Sequence, residues 1–93
     1  MIEVKCIKNV INSSIVQVEG REFPGVVIQG DTLYSLYSKS EYLLKVISEI
    51  SECEQDYDNA EFLNDTIKEV LEVYELTMKE LGRKLPYNKP EKK

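Results

Sequence analysis

The sequence predicts an α+β fold in which a three-stranded antiparallel β-meander is followed by a two-helix antiparallel hairpin. Three observations predict it. Apolar residues in the first third of the chain alternate with a period of two, which is typical of strands. From about residue 32 onward they recur every three or four positions, which is typical of helices. Turn-forming residues concentrate before that point, at Gly20, Pro24, Gly25 and Gly30.

Three short strands are predicted within residues 2–29. Apolar and charged residues alternate at the start of this segment, and the alternation resumes over residues 15–19. The pair Pro24-Gly25 suits the centre of a type II turn, because proline sets φ and glycine accepts the positive φ that follows. The β-branched run 26–29 then forms the third strand.

Two helices are predicted, over residues of about 32–52 and 58–81. Asp31 or Thr32 can cap the first helix, since both side chains accept hydrogen bonds from free backbone N–H groups. A capping-box pattern begins at Asp58 and predicts the start of the second helix. The two helices are therefore expected to be joined by an acidic connection.

Each predicted helix has a main apolar stripe and further apolar residues on another side. The first stripe comprises Leu33, Leu36, Tyr37, Leu43, Leu44, Ile47 and Ile50. The second has a heptad-like spacing and comprises Ala60, Leu63, Ile67, Val70, Tyr74, Thr77 and Leu81. The helices are expected to pack on each other, with the sheet covering another side of the first helix. The surplus apolar surface predicts a homo-oligomer, most simply a two-fold dimer. The alternative is that packing within one chain uses both sides of each helix.

Residues 1–88 are predicted to form a single domain, since a chain of 93 residues lies near the lower end of the usual domain size. Gly82 is placed to end the second helix. Leu85 and Tyr87 are placed to hold the following segment against the body of the domain. Residues 89–93 form a basic tail that is predicted to be disordered.

Composition indicates an ordinary globular chain, with 42% apolar and 31% charged residues. The N-terminus has no signal-peptide pattern, and no apolar run approaches the roughly 18 residues that cross a bilayer. Cys6 and Cys53 lack the spacing of a metal or redox motif, so they are expected to be buried free thiols of a reducing compartment. The prediction is a cytoplasmic protein with no membrane partner.

Charge is unevenly distributed around the net value of −5. Residues 41–80 carry three lysines against twelve acids, whereas the residues that follow are mostly basic. A segment as acidic as this repels a phosphate backbone, and the sequence has no basic stripe that would offset the repulsion. Nucleic acid is therefore not expected as a partner.

Sequence motifs for catalysis or metal binding are missing. The chain has no histidine, which removes the usual general base and the commonest metal ligand. The acidic run that starts at Asp56 does not match a calcium-binding EF-hand, because Glu61 stands where that loop requires glycine. The glycines do not have the spacing of a phosphate-binding loop. A function without catalysis, metal or cofactor is predicted.

The candidate site is the corner at which the third strand passes into the first helix. Its predicted ligand-binding residues are Arg21, Phe23, Gln29, Gly30, Asp31, Thr32, Tyr34 and Tyr37. Amide, carboxylate and hydroxyl groups stand here beside the free N–H groups of a helix N-terminus, which favour an anion or a polar ligand edge. Arg21 reaches the corner if the turn before the third strand folds over it. Tyr34 and Tyr37 can offer flat faces to a ring. The alternative is structural: Asp31 caps the helix, Arg21 forms an ion pair, and the tyrosines fill an interface.

A resemblance rests on two segments. Residues 21–33 read Arg-x-Phe-Pro-Gly-Val-Val-Ile-Gln-Gly-Asp-Thr-Leu, and residues 84–88 read Lys-Leu-Pro-Tyr-Asn. The chain resembles a family of small, uncharacterised bacterial and phage-borne domains that share the signature Arg-x-Phe-Pro-Gly-x-x-Ile-Gln-Gly-Asp-Ser/Thr-Leu. The similarity is specific at these segments and loose over the helices. The family implies no established activity, but it marks the part on which it is built: Arg21, Phe23, Pro24, Gly25, Gln29, Gly30 and Asp31. Of these, Arg21, Gln29 and Asp31 are the residues that the fold alone explains poorly.

Two functions follow from these features. The first is a non-enzymatic protein that binds a small polar ligand, such as a nucleotide-derived signal, in a pocket of a homo-oligomer. Small phage anti-defence proteins that sequester such signals have this general build. The alternative is a protein-interaction module, such as an immunity or anti-restriction protein, that uses its acidic helices to attract a basic partner.

Overall fold

The computed structural model describes residues 2–10 and 13–89 and has the predicted architecture. Its elements are β1 (Val4–Val10), β2 (Ser13–Val18), β3 (Gly25–Ile28), α1 (Gly30–Ile50) and α2 (Glu54–Glu80). The strands lie in the order β1-β2-β3, and both neighbouring pairs are antiparallel. The predicted meander followed by a helical hairpin is confirmed. In the part of the chain described, no helix combines the length and apolarity needed to cross a membrane.

The turn between β2 and β3 is not where the sequence predicts it. Gly20 has a φ of 87°, and the N–H of Arg21 donates to the carbonyl of Val18 at 3.1 Å, which closes a tight turn directly after β2. Gly25 has no positive φ; it is the first residue of β3 and pairs with Val16. The predicted type II turn at Pro24-Gly25 is therefore wrong, because the chain already reverses at Gly20.

Both helices begin earlier than predicted. Gln29 is the N-cap of α1, with φ −65° and ψ 149°, so Asp31 and Thr32 lie inside the first turn. Cys53 is the N-cap of α2, so the predicted cap Asp58 lies within the helix. The predicted caps are wrong because acidic residues are favoured throughout the positively polarised start of a helix, and not only at the N-cap.

The end of α2 agrees with the prediction. Gly82 has a φ of 68°, and its N–H donates to the carbonyl of Lys79 at 3.1 Å. The N–H of Arg83 donates to the carbonyl of Met78 at 2.9 Å. These two bonds form a Schellman motif, which satisfies carbonyls that the helix leaves free. The chain then turns back, and Leu85 and Tyr87 are half-buried.

The core is a narrow seam between α1 and α2. Leu33 and Leu71 are buried in it, as is the side chain of Asn64. Half-buried residues continue the seam at spacings of three and four, which keeps one side of each helix against the other. They are Tyr37, Ser40, Leu44 and Ile47 from α1 and Tyr57, Ala60, Ile67, Tyr74 and Met78 from α2. Among the described residues, the Oδ1 atom of Asn64 has no hydrogen-bond partner. One polar residue in such a seam favours a single register over sliding.

Part of each predicted stripe lies outside this seam. The large apolar residues concerned are 43% to 74% exposed and are Leu36, Leu43, Ile50, Leu63, Val70 and Leu81. In α2 the seam uses Asn64, Leu71 and Met78, each one position after the residue that the stripe predicts. The periodicity finds the apolar side of a helix, but it cannot tell which of two apolar rows about 100° apart on that side faces the neighbouring helix.

The helices do not cover the sheet. Among the described residues, extended contacts form within the sheet and between α1 and α2, but not between the sheet and either helix. The Cα radius of gyration is 16.1 Å, whereas a compact domain of this length has about 12 Å. The prediction that the sheet packs on α1 is therefore wrong. Cys6 is exposed on the sheet, and Cys53 is exposed in the connection that joins α1 to α2. The prediction of buried thiols is therefore also wrong.

Gly30 connects the sheet to the helical seam. It is the first residue of α1 and is buried, and a Cβ atom built at this position would overlap the ring of Tyr74. Only a residue without a side chain lets α2 approach this closely.

We predict that Gly30→Ala lowers the free energy of unfolding by about 1–3 kcal/mol, the usual cost of overpacking, because the Tyr74 ring must move. Urea-induced unfolding measures this change. Gly25→Ala is the matched control, since a Cβ there meets no atom within 4 Å and the φ of Gly25 is not positive. Equal stability of the two variants would contradict the close packing of Tyr74 on Gly30.

Candidate functional site at the strand–helix corner

The predicted site residues fall into two groups at opposite ends of β3. Arg21 and Phe23 precede this strand of four residues, and the others follow it. Four residues of extended chain span about 13 Å. Arg21 and Phe23 are exposed, and among the described residues Arg21 makes no ion pair or side-chain hydrogen bond with Asp31. A single chain therefore builds the corner without Arg21 and Phe23.

The first turn of α1 is anchored by its backbone and by Asp31. The N–H of Leu33 donates to the carbonyl of Gln29 at 2.9 Å, and the N–H of Thr32 donates to Oδ1 of Asp31 at 2.8 Å. Asp31 thus satisfies one of the N–H groups that the helix leaves free and places negative charge at the positive end of the helix dipole. Gln29 and Asp31 are exposed, Thr32 is half-buried and Gly30 is buried.

A pair of tyrosines forms one wall of the corner. The rings of Tyr34 and Tyr87 stack with their centroids 4.1 Å apart and their planes at 10°. The hydroxyl of Tyr87 donates to Oε2 of Glu75 at 2.8 Å, and Nζ of Lys89 donates to Oε1 of the same glutamate at 2.9 Å. The chain after α2 is thus fixed to both helices. The protein itself occupies one of the two faces of Tyr34 that were expected to be open to a ligand ring.

The corner contains residues that the sequence did not assign to it: Tyr74, Glu75, Tyr87 and Lys89. Tyr87 lies within the Lys-Leu-Pro-Tyr-Asn segment, so the resemblance carried a signal for it. Nothing in the pattern of α2 distinguishes Glu75 from the other acids of that helix. Lys89 belongs to the segment predicted to be a disordered tail, and here it forms an ion pair with Glu75. Residues 90–93 lie outside the described residues.

Carboxylates from both helices surround the tyrosines. The hydroxyl of Tyr37 donates to Oε1 of Glu41 at 2.7 Å. Burial, the hydrogen bond to Glu41 and the charges of Glu41, Glu72 and Glu75 together raise the pKa of Tyr37 to about 12. Burial and the hydrogen bond to Glu75 also raise the pKa of Tyr87. Both hydroxyls are therefore protonated donors at neutral pH.

The chemistry of the corner suits binding through hydroxyl and ring N–H groups. Gln29 and Asp31 offer exposed acceptors, and the tyrosines offer aromatic surface. Its cation, Lys89, is already paired with Glu75. A phosphate would need a further positive group, and Arg21, the cation that the sequence assigns to the site, is at the far end of β3. Within the part of the chain described, no group of three or more His, Cys, Asp or Glu residues is arranged to hold a metal ion.

We predict that the protein loses stability as the pH rises from about 10 to 12. The pKa of Tyr37 is about 12 in the folded chain and 10.0 ordinarily, so the folded state binds this proton more tightly. The resulting stability is complete below pH 10 and is lost as the pH rises through the folded pKa. Urea midpoints measured across this range, with tyrosinate absorbance, report the effect.

Tyr37→Phe should show a shallower loss of stability above pH 10 than the wild type, because it removes the titrating hydroxyl. Tyr42→Phe is the control, since Tyr42 is 67% exposed and should follow the wild type. If Tyr37→Phe and the wild type lose stability in parallel, Tyr37 is not a source of the pH dependence.

Comparison with known proteins assigns a family. The match is to a family described as a family of unknown function (DUF6959), and it covers residues 1–87. This range includes all five elements and the Tyr34–Tyr87 pair, and it agrees with the expectation of an uncharacterised domain family. No curated protein and no solved structure matches the chain at a significant level. The chain belongs to this family of unknown function, DUF6959.

Proposed function

We propose that the chain is a non-enzymatic protein that binds a small polar ligand at the strand–helix corner. The observation that carries this proposal is the pairing of exposed polar side chains with a fixed wall. Gln29 and Asp31 are exposed on either side of buried Gly30, next to the stacked rings of Tyr34 and Tyr87. The exposed side chains of Gln29 and Arg21 contribute little to holding the fold, which leaves them available to a ligand.

A nucleotide-derived signal is the ligand class that fits this proposal best. Asp31 and Gln29 can accept hydrogen bonds from ribose hydroxyls, and the tyrosine wall can receive a base. The phosphates would be held by Arg21, which lies at the other end of β3 and so must come from another copy in a homo-oligomer. The protein would sequester the molecule without converting it, as a phage anti-defence protein does.

We predict that a cyclic dinucleotide or an ADP-ribose derivative raises the melting temperature by several degrees, because binding to the folded state alone stabilises it. Differential scanning fluorimetry over a ligand panel, with adenosine included, measures this. Asp31→Asn should remove most of the shift. Asp58→Asn should keep it, because Asp58 is exposed on α2 outside the corner. No shift with any member of the panel would count against a nucleotide-derived ligand.

A second candidate function is favoured by the negative field around α2. The pKa of Tyr57 is raised by its hydrogen bond to Glu61 and by the charge of that group, and Asp65 and Asp58 act in the same direction. Glu54 and Asp56 add charge in the first turn. A surface of this kind would steer a basic protein partner towards the helices. The chain would then be an interaction module of the immunity or anti-restriction type.

This alternative predicts that basic model proteins are retained on the immobilised chain at low salt and released at about 0.3 M salt, where charges are screened. Reversing the charge of Glu52, Glu54, Asp56 and Asp58 should abolish retention. Arg21→Ala and Asp31→Ala should leave it unchanged. Under the ligand proposal, the Arg21 and Asp31 variants lose the ligand-induced thermal shift and the charge-reversed variant keeps it. The two sets of variants therefore distinguish the two functions.

A further inference from the structure

An apolar groove of about 500 Å³ lies between α1 and α2. Its apolar lining comes from both helices and consists of Leu36, Leu43 and Ile47, and of Ala60, Leu63 and Ile67. Three of these side chains, Leu36, Leu43 and Leu63, are 43%, 55% and 59% exposed. Leucines in such a position stabilise the protein only when another surface removes them from water.

The groove belongs to two apolar rows that run beside the buried seam. Leu36, Leu43 and Ile50 are spaced seven residues apart on α1, and Leu63 and Val70 are spaced seven apart on α2. Residues at this spacing share one side of a helix. A helix that packs against a single neighbour needs only one seam. A second row beside the first is the pattern of a four-helix bundle, where every helix touches two neighbours.

The exposed area of the chain is large enough to build a stable dimer. Its accessible surface is 8146 Å² for a mass of 10.8 kDa. A compact monomer of this mass exposes about 5,500 Å². The excess is about three times the roughly 800 Å² that each partner contributes to a standard interface.

The charge distribution favours a second copy over another partner. Residues 41–80 hold twelve acids against three lysines, so two copies repel each other across most of the helical surface. The groove is the exception, because its charged residues are one lysine, Lys39, and one aspartate, Asp56. Two acidic chains can therefore approach through this neutral apolar face, whereas a basic partner would be drawn to the acidic faces instead.

We propose that a second copy of this chain docks on the groove about a two-fold axis, so that the α1 and α2 helices of both copies form a four-helix bundle. The Leu36–Leu43–Ile50 row and the Leu63–Val70 row become its inner layers. This inference goes beyond the proposed function, because the groove contains none of the corner residues, and a copy that supplies Arg21 to the corner would use a separate contact. It does not require a bound ligand.

The test compares two leucines of α2 with equal exposure. Leu63 lines the groove and is 59% exposed, and Leu76 lies outside it and is 58% exposed. Light scattering after gel filtration should give the wild type and Leu76→Glu twice the chain mass of 10.8 kDa. Leu63→Glu should behave as a folded monomer at tens of micromolar, with at least 10-fold weaker self-association. Leu43→Glu tests the α1 row in the same way.

Three outcomes would overturn the proposal: a monomeric wild type, a dimeric Leu63→Glu, or equal dissociation of Leu63→Glu and Leu76→Glu. If circular dichroism shows that both groove variants are unfolded, the proposal is tested on the wild-type protein by the concentration dependence of its melting temperature. A melting temperature that rises with protein concentration, together with a folded dimeric Leu76→Glu, supports folding coupled to docking at the groove; a constant one contradicts it. A dimer without any ligand-induced thermal shift would leave this interface in place and remove only the nucleotide ligand.

Discussion

The contact between Tyr74 and the backbone of Gly30 is the constraint on which the rest of this structure depends. Within the described ranges 2–10 and 13–89, the sheet has no extended contact with either helix, so the passage from β3 into α1 is its main attachment to the helical hairpin. Because Gly30 has no side chain, α2 can lie against the first turn of α1. That approach brings Glu75 next to the segment after α2, where it binds Tyr87 and Lys89. Strand, helices and C-terminal segment therefore meet at one point, and the polar corner forms there.

The parts of the fold that depend on local chemistry were predictable from the sequence. Alternating strands, helical periodicity and the left-handed glycine at Gly82 all follow from neighbouring residues. The predictions are wrong where a contact between residues far apart in the chain determines which side chains are buried. Two apolar rows lie side by side on α2, and only the position of α1 determines that Asn64 and Leu71 are buried while Leu63 and Val70 are not. The predicted position of the turn is wrong for a different reason. Both Gly20 and Gly25 can take a positive φ, and only the pairing of Gly25 with Val16 shows that Gly25 lies in a strand and not in the turn.

The candidate site was predictable to the extent that it is continuous in the chain. Gln29 through Tyr37 follow one another through a strand–helix passage, so their nearness needs no tertiary information. Arg21 and Phe23 belong to the same motif, but an extended β3 separates them from it. Glu75 and Lys89 come from distant positions in the chain, and their charges cancel locally. Within one chain, the corner thus suits the hydroxyl and ring groups of a ligand better than an anion, and the proposal leaves any phosphate contact to another copy.

The corner and the apolar groove can act independently because they lie on different sides of α1. Tyr34 and Leu36 are two residues apart, which turns the helix by about 200°. The wall formed by Tyr34 and Tyr87 therefore faces almost opposite to the row that begins at Leu36. A second copy seated on the groove would bury that row and leave the corner open to solvent. In the proposed arrangement, one face of the hairpin serves assembly and another serves recognition, so a chain with so small a core would gain stability from the first face and specificity from the second.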